Sequence, residues 1–218
     1  IFKYPTNGKL SIMTSNGQIL SNSSFAFYID LVLKNNPIKN IVEIGTWQGL
    51  GSTKRIIDGI IQNNISCNFI SVESNKTFYN LAKDNLKDYT QYVDLTYGRI
   101  VTLQDINNYL QINPIKTSEQ QNWLQEDIVN MMQCPMVINK IPSTIDFLLL
   151  DGGEFSTYAE WKLLWDRSHI IALDDTKTMK AEIVKQEILS DTNNTYEIIV
   201  DSDDRNGFMF IKNKYYVA

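Results

Sequence analysis

Short apolar runs alternate with stretches of helical spacing along most of this chain. Ile41 to Ile44, Phe69 to Val72, Val93 to Tyr97, Ile145 to Leu150 and Ile170 to Leu173 read as strands. The run from Ile145 to Leu150 is apolar almost throughout, as a central strand covered on both faces requires. Between and after these runs, Thr53 to Ile61, Lys76 to Asn85, Leu103 to Leu110, Tyr158 to Trp165 and Lys180 to Leu189 carry the spacing of amphipathic helices. Strand and helix taking turns imply parallel βαβ units. The tail differs: Tyr196 to Val200 and Gly207 to Ile211 are two runs joined by the polar turn Asp201 to Asn206, the pattern of a closing hairpin. The predicted fold class is therefore α/β, a seven-stranded, mostly parallel sheet with a C-terminal antiparallel hairpin and helices on both faces.

The 218 residues read as one domain. Residues 1–35 are an N-terminal arm and a helix over Phe25 to Leu33, which Ser23 or Ser24 caps and Pro37 stops; residues 36–218 are the core. Residues 111–142 are longer than a usual connection and count as an insertion. Within it a helix capped by Thr117 or Ser118 runs through Met132 and gathers Trp123, Leu124, Ile128, Met131 and Met132 near one face. Packing onto the core is the expected use of that stripe; a substrate lid or an oligomer contact is the alternative.

Composition narrows the function. With 20 basic against 25 acidic residues the net charge is -5, which disfavours a nucleic-acid-binding surface. No apolar run approaches the roughly 20 residues that cross a bilayer, so a membrane partner is not expected. Two cysteines and one histidine, His169, cannot assemble a zinc site and fit a cytoplasmic, reducing setting. The partner expected is a small molecule. A chain that opens on Ile1 is compatible with one domain of a longer protein.

Ligands in open α/β sheets bind beyond the carboxyl ends of the strands, and here those ends are mostly acidic. Glu43 and Gly45 end the first core strand, Glu73 the second, Gly98 and Arg99 the third, Asp151 the fourth, Asp174 and Asp175 the fifth. In the turn Gly45-Thr46-Trp47-Gln48-Gly49-Leu50-Gly51, Trp47 stands where a dinucleotide fingerprint needs its second glycine for a pyrophosphate to approach. A carboxylate-bearing turn suits a cationic, phosphate-free ligand instead. Glu73, roughly 20 residues further on, is placed to accept from two ribose hydroxyls. A nucleoside joined to a cationic amino acid describes S-adenosylmethionine.

On these residues the chain resembles the class I S-adenosylmethionine-dependent methyltransferases over roughly residues 36–218, with their Rossmann-like sheet. Val42-Glu43-Ile44-Gly45-Thr46-Trp47-Gln48-Gly49 is similar to the first motif of small-molecule O-methyltransferases, and Ile70-Ser71-Val72-Glu73-Ser74 to their ribose-binding strand end. The resemblance implies that Glu43, Gly45, Thr46, Gly49 and Gly51 line the methionine portion, Glu73 and Ser74 the ribose. Gly98 and Arg99 fall beside the adenine, where the family often has an acidic residue in place of Arg99. The segments Ile145 to Glu154 and Ile171 to Thr176 resemble metal-dependent enzymes that methylate sugar hydroxyls. That likeness implies Mg²⁺ or a similar ion on Asp151, Asp174 and Asp175, and a sugar or nucleotide-sugar as acceptor. Independently, three converging carboxylates repel one another unless a positive charge joins them, and oxygen-only ligands suit Mg²⁺. Asp151 and Asp175 are the expected catalytic residues, Asp151 also touching the cofactor, with Glu154 as the candidate base where relatives often carry Lys or His. His169 precedes its strand and belongs at the opposite edge. Tyr158, Trp161 and Trp165 read as core in preference to a sugar-stacking platform. Two alternatives stand beside this reading: a metal-independent methyltransferase on another acceptor, and a non-catalytic binding module of this fold.

Overall fold

The computed structural model describes Ile19 and residues 23–217. The N-terminal arm before Ile19 lies outside the described residues. Seven strands form one sheet: β1 (Asn40–Ile44), β2 (Asn68–Glu73), β3 (Asp94–Tyr97), β4 (Ile145–Leu150), β5 (Ser168–Asp174), β6 (Tyr196–Ser202) and β7 (Phe208–Asn213). Their order is β3-β2-β1-β4-β5-β7-β6. All pairings among β1 to β5 are parallel, and β7 runs antiparallel to both β5 and β6. The chain reverses direction across the sheet between β1 and β4. Strand ends on either side of that switch point therefore leave a crevice.

Helices α1 (Ser24–Asn35), α2 (Ser52–Gln62), α3 (Lys76–Asn85), α4 (Leu103–Ile112), α5 (Ser118–Gln133), α6 (Thr157–Leu164) and α7 (Glu182–Leu189) fill the connections. Each face of the sheet has its own apolar core. Val42, Ile44, Leu148 and Leu150 face the layer that holds α4, α6 and α7, while Ile41, Phe147 and Leu149 face α1 and α2. That division is the strand alternation of period two, and it explains why β4 has no exposed residue. Ser23 caps α1 as expected, its side chain accepting from the Ala26 N–H. Thr117 caps α5 through a complete capping box with Gln120.

Two boundaries depart from the sequence expectation. Helix α7 begins at Glu182, because Lys180 lies in a turn where its N–H bonds the Thr178 hydroxyl at 3.2 Å. The closing hairpin is longer than its apolar runs, with β6 reaching Ser202 and β7 Asn213. Tyr158, Trp161 and Trp165 belong to the packed layer: Trp161 is 2% exposed and stacks on Trp165. His169 lies near the start of β5, stacked on Tyr216 and remote from the strand tips that bear the acidic residues. No helix among the described residues is long and apolar enough to cross a membrane.

Candidate active site

The carboxyl ends of β1, β2, β4 and β5 open onto a cavity of about 360 Å³, within the usual range for small-molecule sites. The turn after β1 shapes one wall. Gly45 has φ +97°, and a Cβ there would fall 2.0 Å from the Asp151 carbonyl oxygen. Bare backbone at this position lets the β1 and β4 tips touch, with the Asp151 N–H donating to Ile44 at 2.9 Å and the Gly45 N–H to Val72 at 2.9 Å. Trp47 follows with φ 51°, an uncommon conformation for a bulky residue. Its N–H donates to Glu73 Oε2 at 2.7 Å, and its ring meets Phe78 edge-on. The Asn75 N–H reaches the other Glu73 oxygen, also at 2.7 Å. Two backbone donors thus fix the Glu73 carboxylate at the cavity wall while each oxygen keeps further acceptor capacity. Burial pushes Glu73 up to about 7.

Glu43 sits behind this wall rather than in it. Its side chain is fully buried and receives Ser52 Oγ at 2.5 Å, Thr53 Oγ1 at 2.7 Å and Ser71 Oγ at 2.6 Å. Thr46, which does line the cavity, shares a 2.5 Å hydrogen bond with Ser71. Glu43 therefore holds the glycine turn to the start of α2 and to β2. Glu43 thus does not border the cavity itself, contrary to what the motif led one to expect; the turn it braces does. Gly49 is likewise outside the lining: it has φ +76° and packs against Leu86, a turn-forming role.

At the β4 and β5 tips, Asp151, Asp174 and Asp175 converge, each offering an oxygen within 4.8 Å of the others. Asp175 has φ 55°, a left-handed conformation that aspartate tolerates better than most residues. Between them lies a cation that the strand-end pattern did not foretell. Lys180 Nζ bridges Asp151 Oδ1 at 2.8 Å and Asp175 Oδ2 at 2.7 Å, its side chain 11% exposed. Arg205 reaches Asp174 at 3.5 Å. Burial alone would lower the lysine, but Asp151 and Asp175 outweigh it and hold the ammonium well above its ordinary range. Asp174 is pushed up to about 7 by burial and by its two acidic neighbours. Burial also works against ionisation of Asp175, yet Lys180 prevails and keeps that carboxyl below the usual range.

The donor chemistry of this trio suits Mg²⁺, but its arrangement does not. Hard carboxylate oxygens at such spacing are what the ion takes; the Lys180 ammonium, however, is already seated between two of the three. The cluster as built is complementary to the lysine, and a dication needs Lys180 to leave.

Gly45, Thr46, Gly51, Glu73, Ser74, Gly98, Arg99, Asp151 and Asp175 all border the cavity. Asp174 lies just behind it, and Glu154 does not border it. Burial raises the Glu154 carboxyl, against the opposing charge of Lys180. Arg99 contributes wall, but its guanidinium is spent on the Met131 carbonyl at 2.9 Å and the Val101 carbonyl at 2.6 Å.

Three charged residues not singled out from the sequence also border the cavity: Glu126 and Asp127 from the insertion helix α5, and Glu160 from α6. Two of them had a legible signal. Thr157, Glu160, Trp161 and Leu164 form one buried helical stripe, so Glu160 is a carboxyl on an apolar face. Asp127 shares the stripe of Leu124, Ile128 and Met131. The insertion thus packs onto the core, as expected of its apolar residues, and lines the cavity with its acidic ones.

No protein-family model matches the chain, and no curated protein matches it. Solved structures do. An O-methyltransferase from Bacillus cereus in complex with S-adenosylhomocysteine (SAH) is 14% identical, covering 91% of this chain and 84% of that one with a TM-score of 0.56. The SAH-bound methyltransferase PaMTH1 of Podospora anserina is 12% identical over 87% of this chain and 78% of its own, TM-score 0.56. A methyltransferase from Geobacter sulfurreducens is 11% identical over 89% and 80%, TM-score 0.56. The fold is that of the Rossmann-like methyltransferases.

Proposed function

We propose that the protein is an S-adenosylmethionine-dependent O-methyltransferase acting on a hydroxyl of a small polar acceptor, with a sugar or nucleotide-sugar preferred. The observation that carries this reading is one continuous cavity. It runs from the Glu73 carboxylate, fixed by two backbone donors, past the bare Gly45 turn to the Asp151–Lys180–Asp175 cluster. A nucleoside with a charged amino-acid tail matches that run of groups, and two of the similar folds are solved with SAH.

S-adenosylmethionine, when bound, supplies a methyl group on a positively charged sulfur. Glu73 accepts from the ribose hydroxyls, and the Gly45 turn gives the tail close access to backbone. Asp151 borders the cavity, and its carboxyl is raised by burial, which makes it a better proton acceptor than a solvated carboxylate. In the displacement the acceptor oxygen bonds to the methyl carbon, the carbon–sulfur bond breaks with its electron pair going to sulfur, and Asp151 takes the hydroxyl proton. Lys180 keeps Asp151 and Asp175 oriented and supplies the fixed positive charge that the sequence assigned to a metal.

A second reading is favoured by the convergence of Asp151, Asp174 and Asp175 within 4.8 Å. In it the three carboxylates would hold Mg²⁺ in place of Lys180, and the ion would supply Lewis acidity toward an acceptor hydroxyl. Labelled methyl transfer from S-adenosylmethionine to a panel of sugars and nucleotide-sugars, with and without excess EDTA, separates the two. The Lys180 reading expects turnover unchanged by EDTA; loss of turnover on chelation, restored by Mg²⁺, selects the metal. No transfer to any hydroxyl compound, with transfer to amines instead, contradicts O-methylation.

A further inference from the structure

We infer that Tyr109 is a positioning residue that aims the Lys180 ammonium at Asp151 and Asp175, acting through the peptide that carries the lysine. This inference rests on the Lys180 reading above and assigns what holds that reading's central charge in place.

Lys180 has no helix to fix it. It lies in the turn before α7, whose N-cap is Ala181, a residue with no side chain able to cap. The peptide joining Met179 to Lys180 is instead held from both sides. Its N–H, that of Lys180, donates to the Thr178 hydroxyl at 3.2 Å, a tie within the turn itself. Its carbonyl, that of Met179, receives the Tyr109 hydroxyl from α4, 70 residues earlier in the chain. With both ends of one planar unit bonded, the Lys180 backbone cannot swing without breaking one of the two bonds.

Tyr109 is itself locked. It is 1% exposed, and its hydroxyl accepts from Asn113 Nδ2 at 2.7 Å, while the Asn113 N–H closes α4 on the Tyr109 carbonyl at 2.9 Å. The hydroxyl thus uses both its donor and an acceptor position. Its ring packs 5.6 Å from that of Tyr158. Burial pushes the hydroxyl up to about 12, so it keeps the proton that it donates to the Met179 carbonyl. Packing alone needs only the ring, which phenylalanine supplies. A buried hydroxyl is a cost unless it is bonded, and this one is bonded to the carbonyl next to Lys180. Tyr109 does not border the cavity, so its effect on the site passes through that peptide.

The test is nuclear magnetic resonance of protein labelled with ¹⁵N-lysine, with the Lys180 ammonium assigned by its absence from Lys180→Arg. An ammonium seated between two carboxylates exchanges its protons slowly, and wild type should show it resolved from those of exposed lysines. Tyr109→Phe keeps the ring and should speed that exchange about tenfold, as loss of one buried hydrogen bond allows. Ile57→Ala, a core change on the opposite face of the sheet, controls for general loosening and should leave the exchange at its wild-type rate. If Tyr109→Phe fails to fold, Asn113→Ala removes the donor to the hydroxyl and should speed exchange in the same direction. In the methyl-transfer assay above, Tyr109→Phe should lower turnover about tenfold in wild type and less than about twofold in Lys180→Met, because residues that act as one unit are not additive. Unchanged exchange in folded Tyr109→Phe, equal acceleration by Ile57→Ala, or additive losses of turnover would overturn the proposal. A wild-type ammonium that exchanges as fast as those of exposed lysines would overturn the Lys180 reading itself, and this inference with it.

Discussion

Replacing Lys180 by methionine is expected to lower turnover at least 100-fold, on the order of what removing one preorganised charge from an active site costs, and to destabilise the fold by about 3–5 kcal/mol. The two losses share one cause. Lys180 Nζ lies 2.8 Å from Asp151 and 2.7 Å from Asp175 with its side chain 11% exposed, so its removal leaves largely buried carboxylates facing one another without that counter-charge. Methionine fills similar space without the ammonium. The variant should then acquire what the native arrangement blocks: three carboxylate oxygens within 4.8 Å and room for a dication. Millimolar Mg²⁺ is accordingly expected to raise the melting temperature of Lys180→Met by several degrees and leave wild type unchanged. Thermal melts of both proteins with and without Mg²⁺ check this. Equal stabilisation of wild type would show that the ion displaces the lysine and would favour the metal reading.

The second large effect belongs to Gly45. Gly45→Ala places a methyl 2.0 Å from the Asp151 carbonyl oxygen and 2.5 Å from its carbon, contacts with backbone that no rotamer relieves. The positive φ adds strain of its own. Relief requires the β1 and β4 tips to separate, which breaks the hydrogen bond from Asp151 to Ile44. A loss of about 3 kcal/mol or more is expected, lowering the melting temperature by roughly 6–12 °C for a chain of this size. SAH binding should vanish with it, since the turn that loses its shape also orients Trp47 toward Glu73. A stable variant that binds SAH normally would show that close approach of the two tips is not needed.

Much of the architecture was legible because buried parallel strands must be apolar runs and their crossovers must be helices. The strand from Ile145 to Leu150 and the alternation around it leave few other arrangements. Placement at the cavity was legible to the extent that it depends on which residue follows a strand, as for Glu73, Asp151 and Asp175. It was not legible where side-chain direction decides. Glu43 sits in the same motif as Gly45, yet its rotamer turns toward Ser52, Thr53 and Ser71, away from the cavity. Lys180 looked like the first residue of a helix. The Thr178 turn and the left-handed backbone of Asp175 place it in front of that helix instead, where its side chain meets the β4 and β5 tips. Glu160 and Asp127 were signalled more plainly, as carboxyls within apolar helical stripes. A buried acid on such a face needs an explanation of its own, and here the cavity provides one.

The cofactor reading depends on Glu73 holding a nucleoside at the end of β2. Titration calorimetry of SAH against wild type and Glu73→Gln tests this most directly, because the amide preserves size while replacing one acceptor oxygen with a donor. The account predicts one molecule bound per wild-type chain and at least tenfold weaker binding in the variant, consistent with the cost of breaking a hydrogen bond to a charged group. Absence of detectable heat with wild type at millimolar SAH, or equal affinity in the two proteins, would contradict it.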